Sequence, residues 1–480
     1  MLFCYAGGVS AVFNGSDPAC VNLIFPNLRK VILFNDRFFI MTSLHALILR
    51  FFGDDPLRSR LFSKGVADFG VKSTGFLALF AMNAVLARLM GLEAFGHFAF
   101  VSSALVVFAM MARQGMDSVV LRLVPGYVLK EEWGLLRGLL RWTFKRVFAG
   151  AVGLGLAIAV GLIVLRDTLP AGLFATAMWG AVILPILALS QQIQYVLRSR
   201  AWVVRAQIPD LVLRPLGVMA IVGVVWFCGF AIYGRDVMAI TVAVSLVGLA
   251  MGAVWLRKSF PAPAHHAPLV FLAPEWRKVS TQLLFAAGAN LLLMQIDILM
   301  LGIFQSTDQS GLYAIASRIS AMAIFATVAL ASFGAPLVAE LYSQKKMDDL
   351  ASISKTMARV AFALLVPAVI VLVLFGKDIL GLFGQVFVTA YYPLLILVGG
   401  QVLATCFGVS VTILTMTAHE KIAARVLVLS VVANIVLNAA LIPLYGMVGA
   451  AVATALTLAF PVVRMSFIVR SRLGIDTTIF

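Results

Sequence analysis

The fold is decided by residues 296–340, which read IDILMLGIFQSTDQSGLYAIASRISAMAIFATVALASFGAPLVAE. They form two apolar stretches joined by a short polar turn at 305–310. Asp297 and Arg318 each lie seven residues from the turn-side end of their stretch, which places both about 10 Å inside the same membrane face. A charge in hydrocarbon costs about 2.5–3.5 kcal/mol. Two charges at matching depth therefore predict a shared polar interior with the rest of the chain as its scaffold.

The composition places the chain in a membrane. It has 62% apolar and 12% charged residues and a mean hydropathy of +1.02, far above the range of soluble domains. The formal net charge is +16, and the Lys and Arg residues fall between the apolar runs. The positive-inside rule predicts that placement. The charge therefore indicates topology and contact with anionic membrane lipids, and we expect no nucleic-acid binding.

Apolar runs long enough to cross about 30 Å of hydrocarbon recur from residue 66 onward. They lie at 67–89, 96–116, 147–165, 173–195, 212–232, 237–256, 280–304, 311–336, 359–376, 390–416, 422–443 and 446–468. Basic connectors alternate with short connectors of nearly balanced charge. Twelve helices with both termini cytoplasmic satisfy every connector at once. We therefore predict an all-α, multi-pass membrane protein.

The sequence also contains an internal repeat. FGHFAFVSS (95–103) aligns with SGLYAIASR (310–318) at an offset of 215. Six helices per half make the repeat parallel, with its axis along the membrane normal. The predicted organisation is a cytoplasmic N-terminal segment at 1–65 with Met41 as an alternative start, an N-lobe at 66–256, a cytoplasmic linker at 257–279, a C-lobe at 280–470 and a cytoplasmic tail at 471–480.

The repeat offset pairs Arg318 with Ser103, and Asp297 with Met82 beside Asn83. The C-lobe thus has charges where the N-lobe has neutral groups, which predicts a site weighted towards the C-lobe. In a functional interpretation, Arg318 faces a water-filled cavity and receives an anionic group, while Asp297 tunes it or binds a coupling cation. In a structural interpretation, the two form an ion pair on adjacent helices. The interpretations are compatible, because a pair can open when a substrate arrives.

Other polar residues at membrane depth complete the predicted site. The substrate cavity is predicted to include Arg318, Asp297, Asn290, Asn83, Ser103, Gln401, Asn434 and Asn438. Interhelical hydrogen bonding is the alternative role for the four C-lobe amides. Lys72, Arg113 and Asp117 are predicted to lie near a cytoplasmic entrance. For Arg113 and Asp117, four residues apart on one helix face, the alternative is an interfacial salt bridge with snorkelling.

The sequence contains no catalytic constellation: it lacks the nucleophile motif GxSxG and the nucleotide-binding motif GxxxxGK[ST]. The four cysteines and the pair His265–His266 lack the spacing of metal ligands. We therefore expect a protein that is not an enzyme and has no resident cofactor or metal. Any pumping would draw on an H⁺ or Na⁺ gradient, the membrane potential or consumption of the product.

Four patches carry a family resemblance. They are MGLEAFGHFAF into RQGMDSVVLRLVP (90–125), LRSRAWVVRAQIPDLVLRPL (197–216), QIDILMLGIFQSTDQSGLYAIASRIS (295–320) and NIVLNAALIPLYGMVGAAVATAL (434–456). With these patches the chain resembles, over nearly everything after about residue 60, the bacterial oligosaccharide flippases, also called polysaccharide transporters. Their superfamily includes the multidrug-and-toxin-extrusion antiporters and the lipid II flippase, which carries two further C-terminal spans.

The resemblance implies a function. It implies translocation of polyprenyl-diphosphate-linked oligosaccharide repeat units from the cytoplasmic to the outer leaflet of a bacterial plasma (inner) membrane, for O-antigen or exopolysaccharide synthesis. Two six-helix lobes would alternate access to a cationic cavity that includes Arg318. A polysaccharide polymerase or ligase is the implied protein partner. The alternatives are an ion-coupled multidrug antiporter and a non-transporting assembly factor. An antiporter of cationic drugs should have an acidic cavity, and the N-lobe has no clear midplane Asp or Glu.

Overall fold

The computed structural model describes residues 56–417 and 419–479; the side chains of 56–69, 282–290, 326, 329, 332, 333, 336, 420 and 421 lie outside that description. Most of the predicted segment 1–65, with Met41, also lies outside it. Residues Gly65–Phe480 form one compact unit. The described residues are nearly all helical, and none of them is in a β-strand.

The first half of the described chain contains seven helices. Gly91, with φ +77°, breaks the helical segment Pro56–Arg113 into α1 (56–90) and α2 (92–113). Glycine reaches this left-handed region without a steric cost. The next helices are α3 (Met116–Leu129), α4 (Trp133–Val164), α5 (Ala171–Ser199), α6 (Val203–Phe227, with a π-helical turn at Pro209–Leu213) and α7 (Gly234–Lys258).

The second half follows a connector that contains the one-turn helix Ala262–His266. Its helices are α8 (Ala273–Phe304), α9 (Thr307–Ala323), α10 (Phe325–Ser343), α11 (Met347–Gly381), α12 (Tyr391–Cys406) and α13 (Ser410–Met416). Gly446, with φ +54°, then divides the segment Glu420–Leu473 into α14 (420–445) and α15 (447–473).

The predicted membrane crossings coincide with these helices. Eight helical segments in the described residues are long and apolar enough to cross a membrane. Two of them, Gly70–Arg113 and Ile422–Leu473, contain the breaks at Gly91 and Gly446 and so supply two crossings each. The shorter apolar helix Leu291–Phe304 and the pair α9–α10 occupy the remaining predicted runs. The predicted all-α, multi-pass architecture of about twelve crossings is confirmed.

Two runs that we expected to be single helices are interrupted. The run 311–336 breaks at Ile324, between α9 and α10. The run 390–416 breaks between α12 and α13, where Gly408 has φ +73° and packs against the Thr477 carbonyl oxygen. The hydroxyl of Thr477 donates to the Phe407 carbonyl at 3.1 Å. Backbone groups freed by the second break are thus satisfied by the C-terminal tail, which packs onto the helices.

The long helix α8 contacts both halves of the chain. It begins at Ala273, inside the predicted linker 257–279. Near its start, Trp276 donates to the Tyr127 hydroxyl at 3.1 Å and packs 5.5 Å from the Trp142 ring, both in the first half. Its other end packs against α9, α14 and α15. Sequence hydropathy marks where a helix is apolar and does not show which lobe each end touches.

The two halves meet at a pair of glycines. A Cβ on Gly96 in α2 would lie 2.5 Å from the Thr307 carbonyl oxygen, and a Cβ on Gly311 in α9 would lie 2.9 Å from the Gly96 Cα. The repeat offset of 215 relates these glycines, so the same position of each half lies at the axis between them. Helix backbones approach this closely only where small residues stand. We call this region the closed end.

We expect Gly96→Ala to open the closed end, because the added methyl group overlaps backbone atoms of α9. Overpacking of this kind costs about 1–3 kcal/mol, enough to change the ratio of closed to open molecules about fivefold or more. Electron–electron distance measurements between spin labels on cysteines replacing the exposed Asp167 and Asp378 should show longer distances.

The matched control is Gly153→Ala on α4, where a Cβ meets no atom within 4 Å. Gly311→Ala should repeat the effect of Gly96→Ala because the repeat relates the two positions. Unchanged distances in both variants would contradict a closed end held by glycine contact.

Candidate functional site

Asp297 lies at the centre of a buried polar network in the C-lobe. Its side chain on α8 is 4% exposed. Asn438 donates to Asp297 Oδ1 at 2.8 Å, the Tyr313 hydroxyl lies 3.1 Å from Oδ2, and Thr454 also donates to Oδ2. These donors come from α9, α14 and α15, so one carboxylate joins four helices. Hydrogen bonds to a charged acceptor are the stronger kind.

The network continues away from the carboxylate along α14 and α15. Asn438 also donates to Asn434 at 3.0 Å, and Asn434 donates to the Thr457 hydroxyl at 2.9 Å. Both amides are fully buried, and Asn438 Oδ1 accepts no hydrogen bond from the described residues. We call these residues the Asp297 network: Asp297, Tyr313, Asn434, Asn438, Thr454 and Thr457. It contains oxygen ligands and hydrogen-bond donors but no basic group.

The structural interpretation of Asp297 and Arg318 as an ion pair is wrong. No such pair forms within 4.0 Å, and the ion pairs among the described side chains are Arg113–Asp117, Arg214–Asp210 and Arg235–Asp236. An equal distance from the turn, which the sequence predicts, does not set the direction in which each side chain leaves its helix. Asp297 points into the C-lobe and Arg318 points towards the N-lobe.

Arg318 contacts the other lobe. Its Nη1 donates to the Asn83 side-chain oxygen on α1, and Asn83 is 1% exposed and anchored by a 2.6 Å bond to the Leu79 carbonyl. Arg318 itself is half-buried and has no carboxylate partner among the described side chains. Since a guanidinium has five N–H donors, this contact leaves most of its hydrogen-bonding capacity available. The arrangement presents a cation at the boundary between the lobes.

The other predicted cavity residues lie at different places. Ser103 on α2 is buried, and its hydroxyl has no hydrogen-bond partner in the described structure. Gln401 on α12 is buried and donates to Ser320 at 2.8 Å, which joins α12 to α9 within the C-lobe. The side chain of Asn290 lies outside the described residues. The structure thus brings Asn83 to Arg318, and Asn434 and Asn438 to Asp297.

The residues predicted at the cytoplasmic entrance separate into two environments. Lys72 is exposed on α1. Arg113 and Asp117 are 4% and 6% exposed and form a 3.2 Å ion pair that Gln191 extends through its side-chain oxygen. The predicted salt bridge exists, but it is enclosed between helices and does not snorkel. Breaking one partner of such a pair costs more than the pair itself contributes.

Sequence reasoning missed three residues of the Asp297 network. Tyr313 lies in the repeat motif, where an aromatic residue predicts packing in the core and not a polar role. Its ring is fully buried. Thr454 and Thr457 lie three residues apart in an alanine-rich stretch of α15. Their spacing puts both hydroxyls on one face of α15, a signal that could have indicated a partner for the Asn pair.

The part of the chain that carries Asp297 and Arg318 is similar to known proteins. Residues 284–440 match the MatE family model, a stretch that runs from α8 to α14 and contains both intramembrane charges. Two proteins of Haloferax volcanii are also similar. "Probable low-salt glycan biosynthesis flippase Agl15" is 34% identical over 165 residues, and "Probable flippase AglR" is 32% identical over 170 residues. Each alignment covers 34% of this chain and 35% of the relative, so it spans about a third of either protein.

Solved structures show the same fold at low identity. A multidrug resistance MATE family transporter of the MOP superfamily in an inward-facing conformation matches with a TM-score of 0.64 at 15% identity, covering 82% of this chain and 94% of that one. The lipid II flippase MurJ in an inward closed conformation matches with a TM-score of 0.62 at 13% identity, covering 85% and 87%.

The chain is therefore a polytopic membrane protein with the two-lobed fold shared by MATE transporters and MurJ. Within that fold, residues 284–440 match the MatE family model. The predicted resemblance to the superfamily of drug-extrusion antiporters and the lipid II flippase is confirmed, and so is the predicted fold class.

We expect Tyr313→Phe to lower the stability of the C-lobe, because it removes a hydroxyl that contacts Asp297 and keeps the buried ring. The loss of one hydrogen bond to a charged group should cost about 1.5–3 kcal/mol. The measurement is the thermal unfolding midpoint of the purified protein in detergent. The control is Tyr392→Phe, whose ring is 70% exposed. Equal midpoints for the two variants would show that the Tyr313 contact contributes nothing.

Proposed function

We propose that this protein is a flippase for lipid-linked oligosaccharides. It moves a polyprenyl-diphosphate-linked glycan from the cytoplasmic to the outer leaflet by alternating access between its lobes. Arg318 is the observation that carries the proposal. Its guanidinium lies at the lobe boundary, bonded to the neutral amide of Asn83 and without a carboxylate partner among the described side chains. An unneutralised cation at membrane depth is costly, and an anionic substrate would offset that cost.

The physical barrier to flipping explains why a polar boundary is needed. A sugar headgroup that crosses hydrocarbon unassisted loses hydrogen bonds to water at about 2–7 kcal/mol per polar group. A polar path between the lobes replaces those bonds, while the prenyl tail stays in lipid. Arginine suits the diphosphate because its planar fork binds phosphate oxygens in pairs. No bond of the substrate is made or broken, so the proposed activity is not enzymatic.

The relatives support the class of substrate. Both Haloferax volcanii proteins are named flippases, and one is named for glycan biosynthesis. The MATE structures support transport by the same fold but of multidrug type. The positive charge at the lobe boundary favours an anionic substrate over a cationic drug. In full, we propose export of a repeat unit for a surface polysaccharide such as O-antigen or exopolysaccharide. The protein would lie in a bacterial inner membrane with both termini cytoplasmic, and a polymerase or ligase would use the exported unit.

Asp297 is proposed to hold the coupling cation, H⁺ or Na⁺. Its two carboxylate oxygens accept hydrogen bonds from Asn438, Tyr313 and Thr454, and Asn438 Oδ1 in the same network accepts none from the described residues. Oxygen donors of this kind suit a hard cation, and the network has no basic side chain to neutralise the carboxylate. The same α8–α9 hairpin carries Asp297 and Arg318, so a change at one site can be transmitted to the other.

We expect Arg318→Ala to abolish export and Arg318→Lys to retain part of it. The alanine variant removes the cation, whereas lysine keeps the charge but loses the paired phosphate contact. The measurement is on cells that lack this gene: polyprenyl-linked oligosaccharide on the cytoplasmic leaflet and surface polymer are quantified after complementation by each variant. Export should fall about 100-fold or more in Arg318→Ala, since charged contacts of this kind are worth about 3 kcal/mol.

The control is Arg166→Ala, which removes an exposed charge outside the lobe boundary. Normal export by correctly inserted Arg318→Ala protein would contradict the proposed role of Arg318. Unchanged lipid-linked glycans in the deletion strain, together with altered sensitivity to cationic drugs, would instead identify an antiporter.

We expect Asp297→Asn to uncouple transport from the ion gradient. The amide keeps the size of the side chain but removes the charge that holds a cation. Flipping in proteoliposomes should lose its response to an imposed Na⁺ or H⁺ gradient, and the unfolding midpoint should fall because the amide nitrogen cannot accept the hydrogen bonds that a carboxylate oxygen accepts. A gradient response equal to that of the unchanged protein would contradict a cation at Asp297.

A further inference from the structure

A second charged site lies where α4, α7 and the connector between the lobes meet. It is a cavity of about 360 Å³. Its apolar floor includes Leu140, Phe144, Leu256 and Phe260. Its rim is basic and consists of Arg137, Arg141, Arg257 and His265. We call this site the linker pocket. None of its residues belongs to the Asp297 network or contacts Arg318.

The connector forms one wall of the linker pocket through specific contacts. Arg137 donates to the Ala267 carbonyl at 2.7 Å, and Val270 donates its N–H to the Gly134 carbonyl at 3.2 Å. A Cβ on Gly138 would overlap the Val270 carbonyl oxygen, so α4 needs glycine where the connector crosses it. The pocket is therefore a built feature of the fold.

The basic rim has no neutralising carboxylate. Across the described residues, Arg137, Arg141 and Arg257 form no ion pair. The Nε2 atom of His265 lies 3.2 Å from the Arg257 carbonyl oxygen, which positions the ring at the same edge. Three guanidinium groups around one cavity repel each other unless an anion lies between them. Arginine forks bind phosphate oxygens in pairs, which makes phosphate the favoured anion.

The linker pocket also has an apolar lining, which a ligand must match in addition to the basic rim. On α4, Arg137, Arg141 and Phe144 follow one another along the pocket wall, over about 10 Å of helix axis. These residues lie at the helix end that the charge pattern predicts to be cytoplasmic, where Phe144 stands between Arg141 and Lys145 and the long apolar run of α4 begins at Val147. A free phosphate gains nothing from contact with the apolar floor of the pocket. A lipid places a phosphate at the rim and hydrocarbon along it.

We propose that the linker pocket binds the phosphate headgroup of an anionic membrane phospholipid, with an acyl chain against Phe144 and Phe260. Basic pockets between transmembrane helices on the cytoplasmic side are suited to such headgroups. The site is separate from the lobe boundary, so it goes beyond the proposed transport. A bound lipid would also hold the connector against α4 and α7.

The test uses the full-length protein in vesicles of phosphatidylcholine and phosphatidylglycerol in equal parts, with spin-labelled phosphatidylglycerol as the probe. The Arg141→Ala/Arg257→Ala double variant removes two rim charges and leaves the Arg137 contact to the connector. Motionally restricted phosphatidylglycerol should fall about fivefold or more, because each surface-proximal basic residue contributes measurably to anionic lipid binding.

The control is the Arg122→Ala/Lys130→Ala double variant, which removes the same charge from exposed positions on α3 and directly after it, outside the pocket. Its phosphatidylglycerol signal should change less than about twofold. Equal losses in the two double variants would show a diffuse charge effect and overturn the site.

Two further arms separate the sources of the phosphate. Displacement of the spin-labelled lipid by inorganic phosphate alone would assign the pocket to the free anion and overturn the lipid proposal. Preferential retention of a polyprenyl phosphate over phosphatidylglycerol would assign it to the transported lipid. Wild-type export by the Arg141→Ala/Arg257→Ala variant, together with lost lipid binding, would support the site as proposed and leave the Arg318 result independent of it.

Discussion

A charged side chain inside hydrocarbon must find its polar partners within the protein, and the C-lobe is arranged around that requirement. Asp297 gathers donors from α9, α14 and α15. Each donor sits on a different helix, so the carboxylate fixes the rotation of all three helices relative to α8. Van der Waals packing alone gives weak directional preference between apolar helices in a bilayer. The polar network supplies the direction.

Arg318 satisfies the same requirement in a different way. It lies on the same α8–α9 hairpin as Asp297, yet its partner is an amide of the opposite lobe. A contact between lobes is one that must break if the lobes separate, whereas the bonds of Asp297 remain within one lobe. The two charges therefore have different structural roles. One holds the C-lobe together, and the other is exposed to whatever enters between the lobes.

The sequence predicted the parts that depend on patterns along one helix. Hydropathy located the crossings, and charge alternation and the 215-residue offset predicted their number and symmetry. The residues Asn434 and Asn438 were recognised because amides are rare at that depth. The sequence did not show the rotation of each helix, so Tyr313 and Thr454 were missed and the Asp297–Arg318 pair was wrongly considered. The breaks at Ile324 and Gly408 depend on the neighbours of each helix and leave no hydropathy signal.

The repeat is symmetric where the lobes touch and asymmetric where the charges lie. Gly96 and Gly311 are equivalent positions that meet backbone to backbone, and a contact without side chains can form and part with little rearrangement. The equivalents of Arg318 and Asp297 are Ser103 and Met82, neither of which carries a charge. A symmetric contact lets the two lobes move as similar bodies. In the proposed transport, this asymmetry of charge would place the stronger anion-binding side of the boundary on the C-lobe, and a bound anion would move with that lobe.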